Sequence, residues 1–302
     1  MAKAILTTKI RPSDDDLPEL RYHFPRIYVN QVRQAVGDEV IFYEPRRPDD
    51  AASGQDGRQA YFALGRVAAV TEDTRRPDHY CALIDDYLDF ERPVEFREDG
   101  VFYESALRRE DGSVNHGAFG HAVRIVPEGE FEMIRNAGFL PGVRSGKPLP
   151  IPGLADEPAV FDRPIGQALA RRPFRDAAFT RNVRHAYDFT CAFSGLRLID
   201  SDGRAEVEAA HIRPVGDPHR GPDSIRNGIA LGRTARWLFE HGLVALADDG
   251  EILIARASLP EGLRRLFVAD GRARLPAGAF HRPHPQFLDY HRRHIFKGLS
   301  KG

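Results

Sequence analysis

The stretch EVEAAHI (206–212), followed after a loop by Asn227-Gly228 and then by ALGRTARWLFEHG (230–242), decides the fold of the C-terminal half of this sequence. The first stretch is typical of a short strand, and the loop after it is punctuated by glycine and proline. The last stretch predicts a helix over residues 230–241, ended by Gly242 at the position where helices favour glycine. This order of strand, loop and helix is that of a ββα unit.

Four separate blocks in this half resemble a known family. They are CAFSG (191–195), EAAHIRP (208–214), NGIAL (227–231) and WLFEHG (237–242). In this order and spacing they resemble the HNH endonuclease family, in particular its branch of restriction endonucleases. Because four blocks must coincide, the match over about residues 171–257 is specific. The resemblance implies a ββα-metal domain that hydrolyses phosphodiester bonds of DNA with a divalent metal ion.

The resemblance assigns catalytic roles to His211 and Asn227. Phosphodiester hydrolysis needs a base that activates water, and a neutral imidazole can take the proton near physiological pH. On the resemblance His211 is this base, while Asn227 braces the ββα motif and orients the histidine. Taken alone, His211 is typical of a strand histidine and Asn227 before Gly228 of a turn residue. The neighbouring blocks favour the catalytic interpretation.

The helix departs from the family pattern at its metal-ligating position. The family has histidine or asparagine there, whereas this sequence has Arg236, whose guanidinium stays protonated and is not a usable metal ligand. Glu208 lies on the same strand face as Ala210, where other branches carry an acid, and is the nearest carboxylate ligand. Glu240, one turn after Arg236, is a second candidate. We expect Glu208 and Glu240 to hold Mg²⁺, with Mn²⁺ as the alternative, and Arg236 to contact phosphate or replace part of the metal's charge.

Cys191 and Ser194 stand where some HNH proteins carry a zinc-binding Cys-x-x-Cys pair. The sequence has two cysteines, and the other, Cys81, lies in the N-terminal half. One thiol at this turn cannot form such a site. We therefore expect no structural zinc and no disulfide between the halves.

The N-terminal half contains short strand patterns separated by turn residues. Strands are predicted over residues 38–43, 60–70 and 80–84, and a helix over residues 28–36. This pattern favours a mainly antiparallel sheet or small barrel with a few helices. The expected fold class of the whole chain is therefore α+β.

Four segments of this half resemble the EVE-like branch of the PUA superfamily. They are RYHFPRIY (21–28), VGDEVIFYEP (36–45), YFA (61–63) and DYLDF (86–90). Followed by an HNH domain, they resemble the EVE–HNH modification-dependent restriction endonucleases. The resemblance implies that the partner is double-stranded DNA with methylated or hydroxymethylated cytosine, which the N-terminal domain binds and the C-terminal domain cuts.

A modified base is most easily read after it is flipped out of the duplex into a pocket of aromatic and polar side chains. For each candidate residue, packing in the core or at the sheet surface is the alternative. The candidates are aromatic or polar residues of the N-terminal half: Tyr22, His23, Phe24, Tyr43, Tyr61, Tyr87 and Asp89.

Proline and glycine are dense between residues 139 and 170, which predicts a linker. It separates an EVE/PUA-like domain over residues 1–138 from an HNH domain with a basic C-terminal extension over residues 171–302. Residues 1–150 contain 20 Lys and Arg against 26 Asp and Glu, whereas residues 151–302 contain 23 against 18. We therefore expect the C-terminal half to face phosphates and the N-terminal half to read a base.

The composition, with 42% hydrophobic and 29% charged residues, is that of a folded globular protein. No apolar run is long enough to span a bilayer, and the N-terminal residues lack the apolar core of a signal peptide. We expect a cytoplasmic protein with no membrane partner. A homodimer would supply the two active sites that double-strand cleavage needs.

Three alternatives stay open. The first is a modified-DNA-binding protein whose nuclease is impaired by Arg236. The second is a nuclease that acts on unmodified DNA or on RNA, since PUA-type folds also read RNA. The third is an N-terminal domain that binds a small molecule or a protein and only regulates the nuclease.

Overall fold

The chain divides into two compact units, residues 1–170 and residues 171–302. The linker predicted over residues 139–170 lies, apart from its first residue, outside the described part of the chain. Within the described part, no helix combines the length and the apolar character needed to cross a membrane. The computed structural model describes residues 2–8, 17–45, 59–139, 172–255 and 259–298.

The N-terminal unit is built mainly of strands. Short 3₁₀ turns lie at Arg26–Tyr28, Ser105–Leu107 and Ala118–Gly120. Its strands and α-helices, in chain order, are β1 (Lys3–Thr7), β2 (Arg21–Pro25), α1 (Val29–Gln34), β3 (Glu39–Glu44), β4 (Ala60–Glu72), β5 (His79–Glu95), β6 (Arg97–Glu98), β7 (Val101–Phe102), β8 (Val123–Val126) and α2 (Glu128–Phe139).

A curled six-stranded sheet forms this unit, with the strand order β2-β5-β4-β3-β1-β8. Strand β1 pairs with β3 in parallel, and the other four pairings are antiparallel. The ladder between β4 and β5 shifts register at three places, and such bulges bend a long strand pair. The mixed α+β class and the mainly antiparallel sheet are confirmed, whereas the EVE/PUA assignment stays a prediction.

The core of this unit lies between the sheet and its helices. Phe24, Phe42 and Val67 are fully buried and belong to one apolar cluster. Helix α2 approaches β5 closely, because a Cβ atom on Gly138 would lie 2.5 Å from the ring of Phe90. A glycine at this position therefore lets the helix pack against the aromatic ring.

The C-terminal unit begins with a long helix and continues with two hairpins. Short 3₁₀ turns lie at Ile225–Asn227 and Ala279–His281. Its strands and α-helices, in chain order, are α3 (Arg172–Ala186), β9 (Glu208–His211), β10 (Gly228–Leu231), α4 (Arg233–Glu240), β11 (Val244–Leu246), β12 (Ile252–Ile254), α5 (Glu261–Arg264) and α6 (Pro285–His294).

Strands β9 and β10 pair antiparallel with His211 opposite Gly228, and α4 follows them directly, so the unit contains a ββα motif. The helix predicted over residues 230–241 begins only at Arg233. The prediction was wrong at its start because the buried residues of β10 pair with β9 instead. Gly232 then has an extended backbone, with φ −62° and ψ 154°, and precedes the first helical turn.

Helix α4 ends at the predicted glycine. Gly242 has φ +70°, a left-handed conformation that favours glycine. Its N–H donates to the Phe239 carbonyl at 2.9 Å, and its own carbonyl accepts from the Lys297 N–H at 2.8 Å. Strands β11 and β12 follow it as an antiparallel hairpin.

Candidate active site

His211 is the last residue of β9, and two contacts hold its ring. The ring of Phe179, on α3, stacks on it with 3.7 Å between centroids and 7° between planes. The His211 Nε2 atom lies 3.1 Å from Oδ1 of Asp223. The His211 side chain is still 18% exposed. The imidazole is therefore fixed in plane and direction but keeps access to solvent.

Asp223 is a buried carboxylate, with 1% of its side chain exposed. Arg175 Nε donates to its Oδ2 at 2.9 Å, and Arg172 donates to both oxygens at 3.1 Å. Burial favours the neutral acid, but the hydrogen bond to His211 and the charges of Arg175 and Arg172 outweigh it and lower the pKa of the Asp223 carboxyl. Asp223 is therefore ionised near neutral pH.

An ionised carboxylate only accepts hydrogen bonds, which decides the tautomer of the neutral histidine. The hydrogen between His211 Nε2 and Asp223 Oδ1 must belong to the imidazole. In neutral His211 the lone pair is then on Nδ1. Nδ1 forms no hydrogen bond with another described residue. This arrangement of base and orienting carboxylate can accept a proton from water.

Asn227 is fully buried and ties together the two ends of the loop between β9 and β10. Its Nδ2 donates to the carbonyls of Arg213 and Pro222, each at 2.9 Å, and its Oδ1 accepts from the Arg213 N–H at 2.9 Å. The resemblance implies that Asn227 orients His211, but the side chain that hydrogen-bonds to the imidazole is that of Asp223. Pro222 directly precedes Asp223 in the chain. By its hydrogen bond to the Pro222 carbonyl, Asn227 therefore fixes the backbone next to Asp223.

Asp223 was not among the residues singled out from the sequence. It stands 12 positions after His211, in the glycine- and proline-containing loop between β9 and β10. A Pro-Asp-Ser segment is typical of a turn. Only the folded loop shows that this carboxylate points inward, so the sequence offered no clear signal for its role.

Arg236, Glu208 and Glu240 form a cluster that we call the arginine clasp. Arg236 Nη1 donates to Glu208 Oε2 at 2.5 Å, and Arg236 Nε donates to Glu240 Oε1 at 2.8 Å. Partial burial lowers the pKa of Arg236, but the two carboxylates outweigh this and raise it. The clasp therefore joins the first residue of β9 to helix α4 through a permanent cation.

The predicted metal ligands do not fit a divalent ion in this arrangement. Glu208 and Glu240 both accept hydrogen bonds from Arg236, so oxygens that a metal needs are bound to a cation. In the described part of the chain, no group of three His, Cys, Asp or Glu side chains could hold a metal ion. We therefore derive no catalytic step through a metal.

Cys191 is buried and lies in a tight turn. The N–H of Ser194 donates to its Sγ at 3.4 Å, and the N–H of Gly195 donates to its carbonyl at 2.8 Å. The thiol thus takes part in the turn that the sequence CAFSG forms.

In the N-terminal unit, Tyr22 and Phe24 are core residues. The Tyr22 hydroxyl donates toward the carbonyls of Thr7 and Ala122, at 2.8 and 2.7 Å. Phe24 is fully buried and packs between the rings of Tyr22 and Tyr80. Neither ring offers a free face on which a base could stack.

Tyr43 and Tyr61 are also fully buried, beside an internal ion pair. The Tyr61 hydroxyl donates to Glu104 at 2.6 Å, and Arg124 donates to both oxygens of the same carboxylate at 2.7 Å. Burial and the Glu104 charge raise the pKa of Tyr61. Tyr61 is therefore part of a buried polar network in the core, and the Arg124 guanidinium of that network lies over the Tyr43 ring, 5.1 Å from its centroid.

The remaining candidates are His23, Tyr87 and Asp89, of which Tyr87 belongs to the same apolar cluster as Tyr22 and Phe24. His23 Nδ1 is 2.9 Å from Asp73, and the Tyr87 hydroxyl donates to Asp89 at 2.8 Å. Tyr87 is buried, and Asp89 is half-buried. The seven candidates therefore do not line one accessible surface. Aromatic residue type alone does not distinguish a core ring from a stacking platform, so the base pocket stays a prediction.

Comparison with known proteins identifies the class of the C-terminal domain. Residues 191–247 match the family of HNH endonucleases, so the chain contains an HNH endonuclease domain. Among solved structures, the chain is similar to a modification-dependent TagI restriction endonuclease. The identity is 17%, the TM-score is 0.33, and the match covers 90% of this chain and 67% of that one. No curated protein matches. The assignment rests on the family match, which includes His211 and Asn227.

Proposed function

We propose that this protein is a restriction-type DNA endonuclease that hydrolyses phosphodiester bonds at a site centred on His211. The observation that carries the proposal is the pair formed by His211 and the buried, ionised Asp223 inside an HNH endonuclease domain. A histidine with a fixed ring and an orienting carboxylate is the arrangement that general-base catalysis uses.

In the proposed reaction, Nδ1 of His211 takes a proton from the attacking water. The carboxylate of Asp223 stabilises the imidazolium that forms, and it keeps the proton on Nε2 before the reaction. Phe179 holds the plane of the ring, so the lone pair keeps one direction. HNH endonucleases generally use a divalent metal ion, but the proposal assigns no step to one because the predicted ligands do not fit it.

We further propose that the N-terminal unit selects DNA with methylated or hydroxymethylated cytosine, and that two copies of the chain act together on the two strands. The sequence segments that resemble an EVE-like domain support this selection. The acidic balance of residues 1–150 also suits a reader of one base better than a surface that follows phosphates. Base contact through Tyr43 or Tyr61 would require the core to open.

The test compares cleavage of three plasmids that differ only in cytosine: methylated, hydroxymethylated and unmodified. Each is incubated with the full chain in Mg²⁺ and in Mn²⁺, and binding is measured in parallel by mobility shift. We expect cutting and tighter binding with modified DNA. Equal cutting of all three plasmids would overturn the proposed selection but keep the nuclease. Preference for an RNA competitor in the binding assay would overturn the choice of DNA.

A second function is favoured by one observation, the salt bridges that Arg236 forms with both predicted metal ligands. In this alternative the protein binds modified DNA and its nuclease is impaired. The Arg236→His variant distinguishes the two, because it returns the family's residue to this position. Modified DNA bound but not cut by the native chain, and cut by Arg236→His, would establish the alternative.

A further inference from the structure

The two carboxylates of the arginine clasp already share a cation. Glu208 and Glu240 each accept a charge-assisted hydrogen bond from Arg236, the stronger class of hydrogen bond. Arg233 adds a second positive charge, with its Nε 3.4 Å from Glu208 Oε1. Two carboxylates and two guanidiniums balance, so the cluster attracts neither a further cation nor an anion strongly.

A divalent ion would need the same carboxylate oxygens. Carboxylates suit Mg²⁺ and Mn²⁺, but at ligand distance the ion would lie close to the guanidinium of Arg236 and be repelled by it. It would also have to break both hydrogen bonds of the clasp. The three side chains are between 33% and 41% exposed, so solvent screens this repulsion only in part.

We propose that the guanidinium of Arg236 occupies the cation position between Glu208 and Glu240 in place of a metal ion. The native chain then binds no divalent ion at this pair, and loss of the guanidinium charge creates a site for one. This inference concerns metal binding and does not depend on whether the chain cuts DNA. A failed cleavage assay and a failed metal titration are therefore distinguishable.

The test is a titration of the full chain with Mn²⁺. Binding is measured by calorimetry and by the electron paramagnetic resonance signal of free Mn²⁺. Arg236→Gln removes the charge but keeps the first part of the aliphatic chain and a hydrogen-bond donor, and Arg236→Lys keeps the charge. We expect no saturable site in the native chain or in Arg236→Lys. We expect one Mn²⁺ per chain in Arg236→Gln, with a Kd at least about tenfold below the highest Mn²⁺ concentration at which the native chain shows no saturation.

Two further variants locate the site. Adding Glu208→Gln to Arg236→Gln is expected to abolish Mn²⁺ binding. Arg233→Gln removes a neighbouring guanidinium on the same helix but leaves both hydrogen bonds of the clasp, so it is expected to behave like the native chain. Circular dichroism establishes that each variant is folded.

Two results would overturn the inference. Saturable Mn²⁺ binding by the native chain that Glu208→Gln removes would show that Arg236 moves aside for a metal. A folded Arg236→Gln that binds no Mn²⁺ would show that the carboxylates do not form a site. If Arg236→Gln fails to fold, the comparison of the native chain with Glu208→Gln still decides the first point. Arg236→Met, which removes the charge without adding a nitrogen or oxygen ligand, then replaces Arg236→Gln for the second.

Discussion

Asp223 illustrates how one residue depends on its surroundings. A carboxylate with 1% of its side chain exposed would normally be neutral or paired, and this one has three partners: His211, Arg172 and Arg175. The two arginines stabilise the ionised form of Asp223. The ionised Asp223 in turn stabilises the His211 tautomer that carries its proton on Nε2. The role of His211 as a base therefore depends on Arg172 and Arg175 of α3, which act through Asp223 and not through the substrate.

Asp223→Asn tests this positioning role. The amide keeps the shape of the side chain but carries no charge, so His211 loses its preference for a proton on Nε2. We expect kcat to fall at least about tenfold while KM for DNA stays unchanged. Nitrogen NMR of the imidazole is expected to show a mixture of tautomers.

The matched control is Asp217→Asn, an exposed carboxylate of the same loop that pairs with Arg220. It should change neither kcat nor the His211 tautomer. An Asp223→Asn variant with a native tautomer and native kcat would contradict the positioning role.

Two buried histidines make stability depend on pH. Burial lowers the pKa of His291 to about 4; it outweighs the opposing hydrogen bond to the Phe239 carbonyl, and the charge of Arg292 adds a smaller lowering. Burial and Arg226 lower the pKa of His284 to about 4 as well. In the unfolded chain a histidine has a pKa of about 6.5. Below that value the unfolded chain therefore takes up protons that the folded chain excludes.

The stability that these histidines contribute is present above pH about 6.5 and is lost as the pH falls toward 4. At pH 5 the loss is on the order of 2 kcal/mol for each histidine. We expect urea unfolding followed by circular dichroism to show this loss, and His291→Phe to reduce it. His294→Phe, at an exposed position of the same helix, serves as the control and should leave the pH dependence unchanged.

At the scale of elements, the end of α4 is fixed by the segment that follows α6. A Cβ atom on Gly242 would lie 2.0 Å from the carbonyl oxygen of Ile295, a distance that no side chain tolerates. The left-handed φ of +70° adds strain of its own for any other residue. The glycine is therefore required twice, by its backbone conformation and by the close approach of another segment.

Gly242→Ala is expected to destabilise the C-terminal unit by at least about 3 kcal/mol, because steric overlap adds to backbone strain. Gly250→Ala is the matched control, since Gly250 has φ +88° but its nearest contact for a Cβ is 3.7 Å away. We expect this control to cost about 1–2 kcal/mol. Urea unfolding followed by the fluorescence of Trp237 measures both. If both variants lost the same free energy of unfolding, the proposed steric contribution at Gly242 would be contradicted.

At the scale of the whole molecule, the sequence predicts the elements that depend on local side-chain patterns better than those that depend on tertiary contacts. The strands near 38–43 and 60–70 could be predicted because their side-chain patterns are local. The start of α4 could not, since the apolar run before it suits a buried strand as well as a helix. Pairing of β10 with β9 decides between the two, and this pairing is a tertiary effect.

The candidate site shows the same limit. His211 and Asn227 could be singled out because their sequence blocks resemble a family. Asp223 could not, because its role comes from burial and from a contact across a loop. The clasp was anticipated only in part: Glu208, Arg236 and Glu240 were singled out, but their mutual salt bridges follow from the packing of β9 against α4.

The most direct test of the account is the single-turnover rate at which the full chain cuts modified DNA, compared between the native protein, His211→Ala and His219→Ala. His219 lies in the loop after β9, and its Nδ1 is 2.9 Å from the Tyr290 hydroxyl, so it controls for loss of a nearby histidine. We expect His211→Ala to be at least about 100-fold slower and His219→Ala to remain close to the native rate. A folded His211→Ala that cuts as fast as the native chain would contradict the central claim.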